Sequence, residues 1–469
     1  MQTQAIPGGK EDFRDSISTI SKDGDRAWIY PKKPKGRHYN KRTIVSIVLL
    51  ALMFGGPFMK IDGHPLMLFN VLQRKFIVFG IPFWPQDFFL FVLAMLTFFV
   101  FIILFTAVFG RVWCGWACPQ TIFMEMVFRK IEFAIEGDAN QQKLLNRSAW
   151  TVEKMRKKFI KHGIFFLLAF LIANTFLAYI IGIDQLKLLV TEGPGKHLGG
   201  FIALVIFTGV FYGVYARFRE QACLVVCPYG RLQGVLLDRN SVVIAYDYVR
   251  GEPRGKMLKG EERKFGDCID CHACVHVCPT GIDIRNGTQL ECVNCTACID
   301  ACDDIMDKVG LKRGLVRYAS ENSIANKEKF KITPRVIGYS VVLLILLTTL
   351  STLLALRTDV ETTILRTPGQ MFQKVDGDKI SNLYNIQLVN KTFHDLPIEV
   401  KLNDVKGEIK FVGPEPGMLN HDAVVEGVFF VILPQSEITR VKTPVTISIV
   451  SKGQILDEIK TNFLGPNSN

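Results

Sequence analysis

Eight of the twelve cysteines form two runs of the same spacing, C-x2-C-x2-C-x3-C, and the first run is followed by proline. This is the spacing of bacterial two-cluster ferredoxins, in which three close cysteines hold one 4Fe-4S cluster and the fourth crosses over to ligate the other. A chain with this module transfers single electrons. The crossover predicts two ligand sets, which are Cys268, Cys271, Cys274 and Cys302 for one cluster and Cys292, Cys295, Cys298 and Cys278 for the other.

Zinc or disulfide bonds are the alternatives for these cysteines. Zinc sites usually offer pairs of cysteines rather than triplets, and disulfides form in oxidising compartments. His272 and His276 lie among the cysteines, but the eight thiolates already complete both clusters, so we interpret the histidines as flanking residues. Asp303 stands where the common ferredoxin pattern has proline, which predicts a weaker turn after Cys302.

The rest of the chain has the composition of a membrane protein, with 49% hydrophobic residues and 35 phenylalanines. About 20 apolar residues are needed to cross a bilayer. Five segments approach that length, at 43–59, 88–109, 159–183, 198–215 and 336–356. The apolar segment 77–84 is too short to span and carries Pro82, which predicts an interfacial segment. A basic tail of about forty residues precedes the first span, so this span is not a cleaved signal.

Lysine and arginine counts predict the orientation of the spans. The tail before the first span and the loop between the second and third spans are basic, whereas the loop 183–197 holds few lysines and arginines. Because basic loops stay on the cytoplasmic side, we expect a cytoplasmic N-terminus and ferredoxin segment, and an exported region after Arg357. The same rule explains the net charge of +12 without a nucleic-acid partner.

The region after the fifth span predicts a different fold. Short apolar or alternating runs between Asn382 and Phe463 are separated by Gly, Pro, Asn and Asp, which predicts an antiparallel sandwich of about seven strands in about a hundred residues. It contains no cysteine. We interpret the pairs His394-Asp395 and His421-Asp422 as turn residues. Residues 390–392 fit a glycosylation sequon, which we expect to stay bare in a bacterial exported domain.

The predicted fold is therefore a multidomain membrane protein with a five-helix transmembrane part, an inserted two-cluster ferredoxin domain and a C-terminal immunoglobulin-like sandwich. The predicted boundaries are a basic cytoplasmic tail at 1–42, spans one to four at 43–220, a cytoplasmic region at 221–333 with the ferredoxin at about 260–310, span five at 334–356 and the periplasmic domain at 357–469.

The remaining four cysteines form two C-x3-C-P motifs, with Cys114 and Cys118 just past the second span and Cys223 and Cys227 just past the fourth. Two cysteines four apart on a helical turn point the same way, and the proline ends that turn or begins the next helix. The matched positions predict one four-thiolate site, whose soft ligands suit Cu(I) or an iron-sulfur cluster. The alternative is that they are buried free cysteines acting as small apolar residues.

Three arginines flank these motifs. We expect the positive charges of Arg111, Arg217 and Arg219 to favour thiolate over thiol at the four cysteines.

The segments around the motifs resemble the cytochrome c oxidase accessory proteins of the FixG/CcoG/RdxA type. The resemblance rests on Asp62-Gly63-His64, on Arg74-Lys75-Phe76 and on segments 83–88, 110–120 and 223–230, and it extends over nearly the whole chain. It implies a bacterial inner-membrane polyferredoxin with an immunoglobulin-like periplasmic tail. It also implies an enzyme, a cupric reductase that converts Cu(II) to Cu(I) for assembly of the cbb-type cytochrome c oxidase.

The resemblance implies a mechanism and partners as well. A cytoplasmic donor of unknown identity reduces the ferredoxin segment, and the electron passes to a copper ion held as substrate by Cys114, Cys118, Cys223 and Cys227. Cu(I) then passes to a copper carrier or to oxidase assembly factors, and the exported domain docks such a partner. Membrane lipid surrounds the spans. Whether the four cysteines carry copper or a third cluster stays open, as does the oligomeric state, a homodimer included.

Two other functions fit the same residues. One is a quinol-linked electron relay resembling the membrane polyferredoxins of nitrate or nitrous oxide respiration, where C-x3-C-P motifs also occur. The other is an assembly scaffold whose clusters are structural or sense the redox state.

Overall fold

The computed structural model describes residues 18–20, 25–61, 63–71, 75–84, 87–257, 265–329, 331–369, 371–375, 377–421, 423–438 and 440–466. Asp62, Arg74, Pro85, Gln86 and Asp422 lie outside the described residues, as do 260–264 of the predicted ferredoxin segment.

Among the described residues, five helices are long and apolar enough to cross a membrane, which confirms the five predicted spans: Arg37–Phe58, Phe88–Phe109, Val152–Ile181, Leu198–Phe218 and Pro334–Ala355. The third helix begins seven residues before the predicted apolar stretch. Its first turns are charged, and Thr151 caps them by accepting the backbone N–H of Lys154 at 3.2 Å. A hydropathy pattern detects only the apolar part of a helix, so it does not reveal a start that is set by a polar cap.

Shorter helices connect the spans and carry the cysteine motifs. The α-helices are Val112–Trp116, Pro119–Thr121, Arg129–Ile135, Ala139–Arg147, Ile183–Glu192, Pro228–Leu236, Tyr248–Gly251, Ala273–His276, Ala297–Lys308 and Glu321–Ala325. Turns of π-helix occupy Ile122–Phe128, Val214–Phe218 and Ala222–Val226, and 3₁₀ turns occupy Gly56–Phe58, Ile284–Asn286 and Gln435–Glu437.

The strands are, in chain order, β1 Lys60–Ile61, β2 His64–Pro65, β3 Met67–Asn70, β4 Lys75–Val78, β5 Ile81–Phe83, β6 Val243–Tyr246, β7 Val316–Ala319, β8 Val360–Arg366, β9 Gln373–Val375, β10 Lys379–Asn390, β11 Leu396–Pro397, β12 Glu399–Leu402, β13 Glu408–Phe411, β14 Met418–Leu419, β15 Val424–Pro434, β16 Lys442–Ser451 and β17 Gln454–Leu464.

The described chain forms two compact units. The first consists of Met1–Met59 and Leu93–Thr348, and the second of Lys60–Val92 and Thr349–Asn469.

The second unit contains the predicted sandwich. One sheet has the order β13-β15-β10-β8, with β9 also paired to β10, and the other has the order β12-β16-β17. Between them lies one apolar core in which Tyr384, Phe429 and Phe463 are fully buried. The immunoglobulin-like fold class is confirmed, and the structure adds β8, which begins within a few residues of the fifth span.

The second unit also includes the loop between the first two spans, which the predicted boundaries place with the transmembrane part. The segment 77–84, predicted as interfacial, forms most of β4 and β5 in a sheet ordered β3-β4-β5. Pro82 is compatible with β5 because that strand lies at the edge of its sheet. Asp87 fixes the loop through buried ion pairs with Arg357 at 2.8 Å and Lys391 at 2.7 Å.

The first unit contains all twelve cysteines. Strands β6 and β7 pair with each other beside the ferredoxin loops, and their side chains share a core with the cysteines. Asp300, in the helix Ala297–Lys308, accepts the backbone N–H groups of His38 at 3.1 Å and Tyr39 at 2.8 Å. The first turn of the first span is thereby bound to the ferredoxin region.

Candidate redox site

The ferredoxin cysteines lie around two small cavities in the first unit. One is lined by Cys268, Cys271, Cys274 and Cys302. The other is lined by Cys278, Cys292, Cys295 and Cys298, with Cys274 at its edge. Each cavity thus receives the fourth cysteine of the opposite run, which is the arrangement that the crossover predicts.

The two cysteine loops have the same backbone conformation. Asp270 and His272 have positive φ angles of 54° and 56°, and the equivalent Asn294 and Thr296 have angles of 53° and 67°. Successive turns of this kind direct backbone N–H groups into a concavity that suits anions and iron-sulfur clusters. A helix begins after each loop, at Ala273 and at Ala297.

The residues around these loops behave partly as predicted. His272 Nδ1 lies 2.7 Å from the guanidinium of Arg285, so the histidine takes part in a polar network beside the cysteines. The predicted turn after Cys302 is wrong, because Cys302 and Asp303 lie inside the helix Ala297–Lys308. Asp303 instead accepts the backbone N–H of Gly314 at 2.9 Å. A proline at 303 would interrupt that helix, and aspartate does not.

Burial favours the neutral thiol at several of the ferredoxin cysteines when no metal is bound. Desolvation raises the pKa to about 12 for Cys274, Cys292 and Cys302 and to about 11 for Cys295. Thiolate is the form that ligates iron, so cluster assembly releases protons from these sites. None of the twelve cysteines, all of which the structure describes, forms a disulfide, which argues against the disulfide alternative.

The C-x3-C-P motifs do not form continuous helical turns. The helix that contains Cys114 ends at Trp116, and Cys118 is extended, with ψ of 123°. Cys227 is likewise extended, with ψ of 110°. In both motifs the proline opens the next helix, as predicted, because its fixed φ suits a first helical position.

The two motifs nevertheless converge in space. The thiol of Cys223 lies within electrostatic range of Cys118, Cys114 and Cys227, and burial together with these neighbours raises its pKa to about 12. Gly230, just after the second motif, packs tightly against the backbone of Cys223. A Cβ at this position would lie 2.8 Å from the carbonyl oxygen of Cys223. The four cysteines therefore surround one location in the first unit.

A buried glutamine and an arginine hold this location. Gln233 is fully buried, and its Oε1 accepts hydrogen bonds from Arg111 Nε at 3.0 Å and from the Cys114 thiol at 3.1 Å. Arg111 also donates to the carbonyl oxygen of Leu290, next to the second ferredoxin run. The side chain of Arg111 thus joins the first motif to the ferredoxin region.

Arg111 acts on its neighbouring thiol in the predicted direction, but burial outweighs it. The charge of Arg111 lowers the pKa of Cys114, whereas desolvation is the larger effect and leaves that pKa raised. Arg219 pairs with Glu132 instead, at 2.6 and 2.8 Å. Proximity in sequence did not reveal this partner, which lies 87 positions away.

The four-cysteine location touches the second ferredoxin loop directly. Cys114 shares a small apolar core with Val293 and Cys295. Gly115 has no room for a side chain, since a Cβ would lie 2.7 Å from the carbonyl oxygen of Asn294 and closer still to that of Val293. The carbonyl oxygen of Gly115 accepts a hydrogen bond from Arg42 Nε at 2.6 Å.

Two buried side-chain amides near the cysteines have N–H groups that suit a bound anionic group. Among the described residues, Gln233 Nε2 and Asn294 Nδ2 have no hydrogen-bond partner, and both belong to residues beside cysteines. Cluster and thiolate sulfurs accept such N–H groups. In the same part of the chain, no three Cys, His, Asp or Glu side chains are gathered closely enough to hold a single metal ion.

In the second unit, two of the residues interpreted as turn residues form a contact across the fold. His421 Nδ1 lies 2.8 Å from Asp395, and His64 stacks on Phe393 with ring centroids 3.8 Å apart.

The sequon is structural, because Asn390 is fully buried and donates to three backbone carbonyl groups.

Sequence reasoning missed Gln233, Gly115 and Arg42. Each acts through a contact between residues more than 70 positions apart. Gly115, between Cys114 and Trp116, was the one local signal that another backbone segment approaches closely at this position.

Three family models match the chain. A 4Fe-4S binding domain matches residues 91–136, a 4Fe-4S dicluster domain matches 218–321, and the immunoglobulin-like fold at the C-terminus of FixG matches 350–466. Protein RdxA of Cereibacter sphaeroides is 35% identical over 79% of this chain and 81% of its own length. The chain belongs to the FixG/RdxA family.

Two further relatives agree with this assignment. Protein RdxB of Cereibacter sphaeroides is 34% identical over 80% of this chain and 81% of its own length. Nitrogen fixation protein FixG of Rhizobium meliloti is 38% identical over 64% of this chain, and the match spans 58% of that protein's length. The crystal structure of a FixG-related protein from Vibrio parahaemolyticus aligns with 23% of this chain and 97% of its own, at 13% identity and a TM-score of 0.21.

Family membership and the cysteine loops together define the general activity. This FixG/RdxA-family chain is a multi-pass membrane protein with 4Fe-4S binding domains and an immunoglobulin-like C-terminal domain, and it is an iron-sulfur oxidoreductase.

Proposed function

We propose that this protein reduces Cu(II) to Cu(I) and supplies it for assembly of a cbb-type cytochrome c oxidase. Copper is the substrate, and the ligands are the thiols of Cys114, Cys118, Cys223 and Cys227. The observation that carries the proposal is the convergence of these four soft ligands directly against the second ferredoxin loop. Thiolates favour Cu(I) over harder ions, so a site of this kind stabilises the product of one-electron reduction.

The clusters supply single electrons, and the protein residues determine where those electrons can go. Gly115 permits contact between the first C-x3-C-P motif and the loop Cys292–Cys298. Gln233 holds the Cys114 thiol in place, and the positive charge of Arg111 compensates part of the negative charge that thiolate formation creates. Because the buried thiols are protonated without metal, copper binding expels protons and is favoured by higher pH.

The test is Cu(II) reduction by anaerobic protein, followed with a Cu(I)-specific chelator and dithionite as electron donor. Replacing Cys114 and Cys118 by serine should abolish the reaction and leave the ferredoxin spectra unchanged. Replacing Cys223 and Cys227 as well should add little, since residues that act as one unit are non-additive. Full Cu(II) reduction by the quadruple variant would place the copper site elsewhere.

The second candidate is an electron relay in which the same four cysteines hold a third 4Fe-4S cluster. It is favoured by the 4Fe-4S family model over residues 91–136, which include Cys114 and Cys118, and by the lack of a single-ion arrangement among the described side chains. Metal analysis separates the two, because about eight irons per chain fit two clusters and about twelve fit three. A relay would also transfer electrons from its donor without copper.

The proposed location is the bacterial inner membrane, with the N-terminus and ferredoxin region in the cytoplasm and the C-terminal domain in the periplasm. Basic loops on one side of the spans support this orientation. Alkaline phosphatase, which is active only after export, should be active when fused after Asp359 and inactive when fused after Lys331. The reverse pattern would put the ferredoxin region outside, where the proposed reaction has no cytoplasmic electron supply.

The proposed partners are an electron donor, a copper carrier or oxidase assembly factor, and membrane lipid; no nucleic acid is needed. The exported domain is proposed to dock the assembly partner. If the protein is instead a redox-sensing scaffold, variants without clusters should keep that partner and lose only its regulation.

A further inference from the structure

A cavity of about 590 Å³ lies in the first unit, beside the charged end of the third span and the last turns of the fourth. Its volume is within the range of small-molecule sites in proteins, roughly 300–1,000 Å³. The residues that line it and carry the argument are Trp28, Trp150, Tyr212, Glu132, Glu136 and His162. Nothing in the proposed copper chemistry uses this cavity.

The aromatic walls are fixed in position. The guanidinium groups of Arg26 and Arg219 lie 4.3 Å and 4.9 Å from the centroid of the Trp28 ring. The ammonium of Lys154 lies 5.0 Å from the Trp150 centroid. The hydroxyl of Tyr212 lies 2.9 Å from His162 Nδ1. Rigid aromatic faces with polar groups at their edges suit a flat ring that carries hydroxyl groups.

The carboxylates and lysines that line the cavity are paired with one another. Glu136 pairs with Lys158 at 2.8 Å and with Lys161 at 2.9 Å. Glu132 lies 3.7 Å from Lys161 and also forms the two-point pair with Arg219. Arg217 also lines the cavity, is exposed, and forms no ion pair with a described residue. A ligand would therefore meet one cation, Arg217, that no described carboxylate neutralises.

The cavity adjoins the four-cysteine location. Glu132 lines it, and the partner of Glu132, Arg219, lines the neighbouring small cavity together with Cys223. Tyr215 follows Tyr212 by about one turn, stacks on Phe128 with centroids 4.4 Å apart, and lies within electrostatic range of Cys118 and Cys223. A ligand in the cavity is therefore separated from the cysteines by one layer of side chains.

We propose that this cavity binds the headgroup of a membrane quinol and that the quinol is the electron donor. The inference rests on the proposed function, because it names the donor for the same redox site. Oxidation of one quinol releases two electrons and two protons and yields the quinone. The two 4Fe-4S clusters that the cysteine loops would hold would each accept one electron, and Glu136 and His162 are the groups placed to take the protons.

Gly213 provides a way to block the cavity without changing a polar group. It lines the cavity in helical conformation, and a Cβ there would meet open space. Leucine at 213 therefore occupies the ligand volume. Gly209, one turn earlier on the same helix, also faces open space and does not line the cavity, so Gly209→Leu is the matched control.

Two measurements on the full-length protein test the proposal, with decylubiquinone as the probe. Binding is followed by quenching of tryptophan fluorescence, to which Trp28 and Trp150 contribute. Electron exchange is followed as the recovery of iron-sulfur absorbance when decylubiquinone reoxidises dithionite-reduced protein. We expect Gly213→Leu to weaken binding and slow reoxidation by about tenfold or more. Gly209→Leu should match the unmodified protein, and reoxidation by ferricyanide should be the same in all three.

The remaining outcomes decide the proposal without reference to copper. Equal binding and reoxidation in the two leucine variants would overturn it, as would a lack of binding by the unmodified protein. Tyr212→Phe keeps the ring and removes only the hydroxyl next to His162, so it should weaken binding even if Gly213→Leu fails to fold. A failure of dithionite-driven Cu(II) reduction would instead count against the proposed function alone.

Discussion

The two cysteine regions of the first unit reach similar burial by different routes. In the ferredoxin loops, ligands three residues apart wrap a cavity through local turns, and only the fourth ligand comes from the other run. At the C-x3-C-P motifs, each pair of cysteines is split between a short turn and the start of a helix, and the motifs are over a hundred residues apart. The first region is defined by loop geometry and the second by packing.

This difference predicts different responses to mutation. A site made by local loops should lose only its own metal when one ligand is removed, and the surrounding helices should remain. A site assembled by long-range packing should also fail when a distant residue that holds the motifs together is changed. Five experiments can break or sharpen this contrast.

The largest expected effect is loss of a complete cluster. Cys302→Ala should lower the iron content by about four atoms per chain, because one 4Fe-4S cluster loses its fourth ligand. Adding Cys271→Ala should cause no further loss, since both cysteines line the same cavity. Iron analysis and the spectrum of the reduced protein provide the measurement.

The matched control combines Cys302→Ala with Cys295→Ala, which lies at the other cavity. That double variant should lose about eight irons. If instead the pair 302 and 271 lost both clusters while the pair 302 and 295 lost one, the crossover would be wrong and each run would hold its own cluster.

The ferredoxin spacing could be predicted from sequence because its geometry is local. Three cysteines in seven residues leave the backbone few ways to surround a cluster, and the left-handed residues Asp270 and Asn294 occur at equivalent positions. The five spans and the sandwich were predictable for the same reason, since hydropathy and alternation are local signals.

The geometry of the second region was not predictable in the same way. The orientation of Cys118 depends on where a helix ends, and the partner of Arg219 is Glu132, 87 positions away. Gln233 and Gly115 matter only once the two motifs and the ferredoxin loop are in contact. No period or spacing in a single sequence encodes such pairs.

The next effect tests the packing around the second motif. Arg219 and Glu132 are both nearly inaccessible to solvent and form a two-point ion pair. Arg219→Met should lower the free energy of unfolding by about 3–5 kcal/mol, because it leaves a buried carboxylate without its main partner. The control Arg313→Met removes an exposed pair with Asp307, and we expect no measurable change in stability from it. Denaturation followed by circular dichroism in detergent gives both values.

The same ion pair predicts a pH dependence. Burial opposes the charge of Glu132, but Arg219 and Lys161 outweigh it and hold its pKa below the ordinary value of 4.5. A lowered pKa means that the pair stabilises the fold fully above pH 4.5 and loses this contribution as the pH falls through the folded-state value. Glu132→Gln should flatten that acid limb. An unchanged acid limb in this variant would assign the pH dependence to other carboxylates.

A smaller effect is expected at the one position where the chain departs from the common ferredoxin pattern. Asp303→Pro should destabilise the ferredoxin region by about 3 kcal/mol, because proline in a helix interior removes a backbone hydrogen bond and clashes with the preceding turn. Asp303→Asn keeps the helix and an acceptor for Gly314 N–H, so it should cost under about 1 kcal/mol. Equal stability of the proline variant would mean that Cys302 can be followed by a turn after all.

The smallest effect is expected where the two regions touch. At Gly115, an added methyl group would collide with the backbone oxygens of Val293 and Asn294, and backbone atoms cannot rotate away as a flexible side chain can. Gly115→Ala should therefore push the first motif and the ferredoxin loop apart without removing a ligand from either. We expect unchanged ferredoxin iron and a fall in Cu(II) reduction on the order of tenfold, since small misplacements of reacting groups are costly. Gly209→Ala, in open space on the fourth span, is the control and should have no effect.

If Gly115→Ala kept full activity, the electron would not cross at this contact. If it lost ferredoxin iron instead, the two regions would be one cooperative site, and the contrast between local and long-range assembly would not hold.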